Sequence, residues 1–105
     1  MMLELRPNCE LCDRDLPPAS EEARICSYEC TYCADCAETV LCNVCPTCGG
    51  GFTSRPIRPR RAYRPKLKLG LANDPAGTRR KHSKYSAEEI ERFVSSRRGV
   101  DPAER

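Results

Sequence analysis

All nine cysteines of this 105-residue chain fall between Cys9 and Cys48, and the last 57 residues contain none. Eight follow the pattern Cys9-x2-Cys12-x13-Cys26-x3-Cys30-x2-Cys33-x2-Cys36-x8-Cys45-x2-Cys48, with Cys42 left over. The same stretch is poor in apolar side chains: Leu11, Leu16, Ile25, Tyr28, Tyr32, Val40, Leu41, Val44 and Phe52 are the larger ones. A domain of roughly 40–60 residues rarely folds on burial of this size alone and needs a covalent or metal staple. The thiols are the only staple available.

Disulfides and metal compete for that role. The N-terminal residues show no basic start followed by an apolar run, so a secretory leader is not expected. No stretch approaches the ~18 apolar residues of a membrane span, and no membrane association is expected. An odd cysteine count suits a disulfide framework poorly. The reading is a cytoplasmic protein in which thiolates bind metal. A Cys-x2-Cys pair can wrap one ion, and Zn²⁺ takes four thiolates in a tetrahedron. Eight cysteines make two closed four-cysteine sites, hence two Zn²⁺ per chain. Closed sites leave no position for water or substrate, and no Ser/His/Asp or Cys/His pair stands out. An enzyme is therefore not expected.

Two ligand schemes are open. A sequential scheme joins Cys9, Cys12, Cys26 and Cys30, and separately Cys33, Cys36, Cys45 and Cys48. A cross-braced scheme joins Cys9, Cys12, Cys33 and Cys36 (site 1), and Cys26, Cys30, Cys45 and Cys48 (site 2). The crowding of four cysteines between Cys26 and Cys36 favours cross-bracing, because consecutive pairs that feed different ions tie all loops into one unit. Cys42 is an alternative ligand or a redox thiol.

The eight-ligand spacing resembles a RING finger with Cys30 at the usual His position. Leu11 precedes Cys12, Tyr32 precedes Cys33, and "CPTC" (Cys45–Cys48) matches the closing pair. Ligase activity transfers poorly: Gly49 stands where RING fingers carry a basic residue, and the chain has no Trp. Over residues 2–60, "LELRPNCELCDRDLPP", "EARICSYECTYCADCAE", "CPTCGG" and "RPIRP" resemble the bacterial domain of unknown function 1272 family. That resemblance implies a bacterial zinc-binding protein with no established activity, and it leaves Cys42 as the spare thiol.

The expected fold is a small zinc-stabilised α+β domain, a RING-like cross-brace with two four-cysteine sites, then a basic disordered tail and a short C-terminal helix. Residues 1–52 form the zinc domain, 53–85 a basic Pro/Arg-rich disordered linker, 86–99 an amphipathic helix and 100–105 a disordered end. Within the head, a strand is expected near Arg24–Ser27 and a short helix over 33–41. Ser86 and Glu89 suit a capping box, Tyr85 and Ile90 a hydrophobic staple. Gly99 is expected to end the helix. Ile90, Phe93, Val94 and Arg97 share one side, an apolar stripe expected to pack on the chain's own head.

Charge divides the chain the same way. Residues 1–54 carry three Arg against nine acids, a net −6, and residues 55–84 carry eleven Lys/Arg against Asp74, a net +10. Arg55, Arg58, Arg60, Arg61, Arg64, Lys66, Lys68, Arg79, Arg80, Lys81 and Lys84 are candidate polyanion contacts, with nucleic acid along residues 55–84 the sharper reading. His82 is expected to be solvated. The leading functional expectation is a zinc-scaffolded adaptor, a monomer, that presents Leu11, Val40, Leu41 and Pro46 to a protein partner. Nucleic-acid association through the tail and a thiol redox or zinc-responsive switch are the alternatives. A RING-type ubiquitin ligase is the least favoured.

Overall fold

The computed structural model describes residues 3–105. Three short strands, β1 (Ala23–Ile25), β2 (Thr31–Cys33) and β3 (Thr53–Ser54), form an antiparallel sheet in the order β2-β1-β3. Ile25 pairs with both Thr31 and Thr53, so β1 is the central strand. One α-helix, α1 (Ala87–Arg97), lies beyond the basic segment.

The hairpin between β1 and β2 explains the Cys-x3-Cys spacing. Ile25 opposes Thr31, so Cys26 and Cys30 stand at the two ends of the turn, where Cys26 N–H donates to the Cys30 carbonyl at 3.2 Å. Glu29 takes a φ of 67° to close it. The strand expected at Arg24–Ser27 thus begins one residue earlier and stops at Ile25, because Cys26 and Ser27 belong to the turn. The helix expected over 33–41 is also trimmed. Cys33 is the last residue of β2, and Cys36–Val40 forms one wide π-type turn in which Leu41 N–H donates to the Cys36 carbonyl at 2.8 Å.

The two Cys-x2-Cys segments fold alike. In the first, Asp13 N–H donates to the Cys9 carbonyl and Cys9 N–H to the Arg14 carbonyl. In the second, Gly49 N–H donates to the Cys45 carbonyl and Cys45 N–H to the Gly50 carbonyl. The residue after the second cysteine is left-handed in both, Asp13 at φ 66° and Gly49 at φ 83°. Glycine takes this conformation freely and Asp tolerates it.

The core runs between these loops. Leu16, Ala23, Tyr32, Leu41 and Val44 are buried together with Cys9, Cys33 and Cys45, and Ile90 and Val94 of α1 join them. Tyr32 meets Phe52 edge-on, ring centroids 5.4 Å apart. The apolar stripe of α1 therefore packs on the head. Ser86 caps the helix with Glu89 in a reciprocal capping box. Gly99 does not supply a left-handed stop: the cap is Arg98 with φ −60°. The Arg97 guanidinium lies 3.8 Å over the Phe93 ring, a cation–π contact.

The boundary expected after Phe52 shifts, because the sheet continues through Thr53 and Ser54 into a buried Arg55. Residues 53–85, expected as a disordered linker, follow a defined course. Arg55 sends its guanidinium inward to the carbonyls of Arg6, Leu16 and Pro17 at 2.8–3.1 Å. Further on, Gly77 N–H donates to the Leu5 carbonyl and Ser83 N–H to the Glu10 carbonyl, so residues 77–83 run alongside 5–10 in the same direction. The C-terminal end, also expected to be disordered, makes a 3-10 turn at Pro102–Glu104. Arg105 then reaches the carbonyls of Asn43 and Gly49. The physical reason is common to both segments: arginine forks satisfy loop carbonyls that a head this small leaves without partners.

Candidate metal centre

Four sulfurs, those of Cys9, Cys12, Cys33 and Cys36, lie within 4.8 Å of one another, and those of Cys26, Cys45 and Cys48 form a second such group. The first group draws its members from the first Cys-x2-Cys loop, the end of β2 (Cys33) and the start of the π-type turn (Cys36). The second draws on the hairpin turn and the Cys45–Cys48 loop. Cys30 is not within the tight trio, but it lies beside Cys26 and Cys45, and these two thiols push it down to about 3. Cys45, held by the same two thiols, is pushed up. In the first group burial pushes up Cys33 and Cys36. Each cluster thus crowds protons that a bound cation would replace.

The donor chemistry fits a metal. All nine cysteines are free. The sulfurs of Cys12 and Cys33 are 3.7 Å apart, close to the ~3.8 Å edge of a tetrahedron built on metal–sulfur bonds of about 2.3 Å. Backbone N–H groups already point at sulfur: Cys12 at Cys9, Tyr28 at Cys26, and Gly50 at Cys48, at 3.3–3.5 Å. Such donors favour the thiolate, the form a metal requires. Cys42 belongs to neither group. It takes a left-handed φ of 46°, and its thiol faces the Thr39 carbonyl at 3.8 Å.

Several residues outside the cysteine pattern hold these loops, and the sequence reading missed them. Glu10, inside the first Cys-x2-Cys, is buried. Its carboxylate accepts from Arg6 at 2.6 Å and from the Thr31 backbone N–H at 2.7 Å, tying the loop to β2. Asn8 is fully buried and bonds both the backbone carbonyl and the N–H of Lys81. The only sequence signal was the Arg6/Glu10 spacing, which outside a helix carries no geometric meaning.

The structure separates the expected contact residues. Leu41 and Pro46 are buried and unavailable to a partner, Leu11 is half-buried and Val40 is exposed. The reason is α1, which covers this side of the head. Leu11 and Val40 share a cleft of about 610 Å³ with Cys12, Cys36, Cys42 and the flank of α1. Among the candidate polyanion contacts, Arg55 is buried and Arg58 bonds the carbonyls of Leu3 and Asp74. Arg80 pairs with Asp13 and Asp15. Arg60, Arg61, Arg64, Lys66, Lys68, Arg79, Lys81 and Lys84 have exposed side chains. His82 is not simply solvated, since its Nε2 lies 2.8 Å from Asp13.

This geometry defines a class: a small α+β protein whose loops are gathered by two cysteine clusters able to hold metal ions. Within that class, the chain belongs to the family described as "Protein of unknown function (DUF1272)", which matches residues 2–58. An uncharacterised protein of Rhizobium meliloti (strain 1021) is 66% identical over 58 residues, 55% of this chain and 69% of that protein. No solved structure matches. The matched region holds both cysteine clusters, and α1 lies outside it. No helix among the described residues is long and apolar enough to cross a membrane.

Proposed function

We propose that the protein is a non-catalytic interaction module organised by two Zn²⁺ ions in a RING-like cross-brace. Cys9, Cys12, Cys33 and Cys36 hold one ion, and Cys26, Cys30, Cys45 and Cys48 the other. The observation that carries this reading is the interleaved grouping of the sulfurs. Ligands from segments far apart in sequence converge in each cluster, as a structural ion requires. Four thiolates per ion leave no open coordination position, so the zinc stabilises and does no chemistry. A protein partner has Val40 and the cleft beside Leu11 to engage, since Leu41 and Pro46 lie inside.

Native mass spectrometry of the full chain tests the stoichiometry, with two zinc ions expected. Cobalt substitution tests the ligands, with the intense thiolate-to-metal absorption of tetrahedral four-sulfur sites expected. One ion per chain, or sulfurs joined as disulfides in protein isolated under non-oxidising conditions, would overturn the assignment.

A further inference from the structure

The tail's cations are not equivalent. Arg55, Arg58 and Arg80 are engaged; of the other eight, five lie in one closed loop, and Arg79, Lys81 and Lys84 lie outside it. Leu71 N–H donates to the Pro59 carbonyl at 2.9 Å and so joins the loop's ends. Gly70, at φ 96°, packs so closely that a Cβ there would lie 2.9 Å from the Arg61 carbonyl group, so only glycine fits. Between these ends stand Arg60, Arg61, Arg64, Lys66 and Lys68, all exposed, with no acidic residue among them.

The loop and Ile57, just before it, gather exposed apolar side chains. Seven large hydrophobics are exposed among the described residues, and four of them, Ile57, Tyr63, Leu67 and Leu69, lie within residues 57–69. Tyr63 is 76% exposed and Leu67 61%. Cations alternate with leucines through Lys66-Leu67-Lys68-Leu69. A nucleic-acid backbone would take the charges and could stack Tyr63, but it offers no apolar phase for Ile57, Leu67 and Leu69. An anionic bilayer interface receives both, charges at the headgroups and aliphatic side chains at the acyl boundary.

We propose that the loop between Pro59 and Leu71 docks the protein on anionic lipid surfaces, lying at the interface without crossing it. This assignment is independent of the metal reading, because the loop contains no cysteine. Each cation near such a surface strengthens binding roughly five-fold at physiological ionic strength.

Flotation of the metal-loaded full chain with phosphatidylglycerol/phosphatidylcholine vesicles, against phosphatidylcholine alone, tests it. Binding to the anionic vesicles only is expected. Lys66→Gln with Lys68→Gln should weaken it about 25-fold. Leu67→Ser with Leu69→Ser, at unchanged charge, should weaken it at least about ten-fold. These side chains are exposed, so circular dichroism and metal content should stay as in the parent and separate lost docking from lost folding. No flotation with anionic vesicles overturns the proposal. So does flotation untouched by the leucine changes, which would mark a charge-only contact. Tighter capture of a single-stranded oligonucleotide with no leucine dependence, or self-association abolished by the lysine changes, would assign the loop to nucleic acid or to a second copy instead.

Discussion

The side-chain amide of Asn8 holds the backbone of Lys81 in both directions: its Nδ2 donates to the Lys81 carbonyl at 2.8 Å, and its Oδ1 accepts the Lys81 N–H at 3.1 Å. Asn8 immediately precedes the first metal-ligand candidate, and Lys81 lies in the segment that leads into α1. One buried amide thus couples the head to the helix that covers it. Asn8→Ala leaves two backbone groups without partners and is expected to cost about 1–3 kcal/mol. Hydrogen exchange should show the loss first at residues 78–84 and then in α1, while the β1–β2 hairpin stays protected.

Metal removal should act on the whole head. Structural zinc contributes on the order of 10–16 kcal/mol in finger peptides, and ordinary net stability is about 5–15 kcal/mol. A strong chelator is expected to abolish cooperative unfolding and protease resistance over residues 5–52. Far-UV circular dichroism and limited proteolysis read this directly, and a compact chelated protein would contradict it.

Tyr32 gives a test in which the sign is diagnostic. Its ring is fully buried against Phe52, but its hydroxyl has no hydrogen-bond partner among the described residues. Burial, chiefly, and then the neighbouring Cys45 push its phenol up, so it stays neutral. Tyr32→Phe removes an unsatisfied buried group and should be neutral or stabilising in thermal melts. Tyr32→Ala should cost about 3–5 kcal/mol through the cavity it leaves.

Arg55 is buried with no carboxylate partner, and burial lowers its pKa. Its hold on three carbonyls depends on the planar fork of the guanidinium. Lysine cannot span them, so Arg55→Lys should destabilise by about 1.5–3 kcal/mol despite keeping the charge. Chemical denaturation of the metal-loaded protein measures this.

Asp13 links the first cysteine loop to the returning tail through His82 and Arg80. Hydrogen bonding first to His82 and then to Arg80 holds its carboxyl below the ordinary value of 3.8. A depressed carboxylate stabilises the folded contact above that ordinary value, and the stabilisation is lost as pH falls through the lower folded value. Protection against exchange at residues 80–83, relative to the intrinsic rate at each pH, should fall in that acid window. Asp13→Asn, which tolerates the left-handed backbone, should raise exchange there at neutral pH and flatten the acid dependence.

The cysteine spacing was legible because a Cys-x2-Cys loop admits few geometries, and the capping box was legible because it is local; the partner strand Thr31–Cys33 was not read from the sequence. What spacing left open was which loops share an ion. The interleaving of Cys9 and Cys12 with Cys33 and Cys36 depends on how far the β1–β2 hairpin carries its strand ends from the first loop. The tail's anchoring points were not legible, because composition is blind to carbonyl acceptors on a separate loop. Arg55, Arg80 and Arg105 acquire their partners from residues 38 to 67 positions away.

By itself, the order of residues determined that the thiols of the first half would fall into groups able to hold metal, and that a capped amphipathic helix would start at Ser86, read over 86–99 and formed over Ala87–Arg97. Only the tertiary structure decided that Leu41 and Pro46 would lie beneath that helix, that Asn8 and Glu10 would brace the cysteine loops, and that five exposed cations would share one closed loop between Pro59 and Leu71. The physical reason is that helix caps and Cys-x2-Cys turns are closed by bonds within a few residues, whereas burial and carbonyl satisfaction are settled between segments that meet only once the chain has folded.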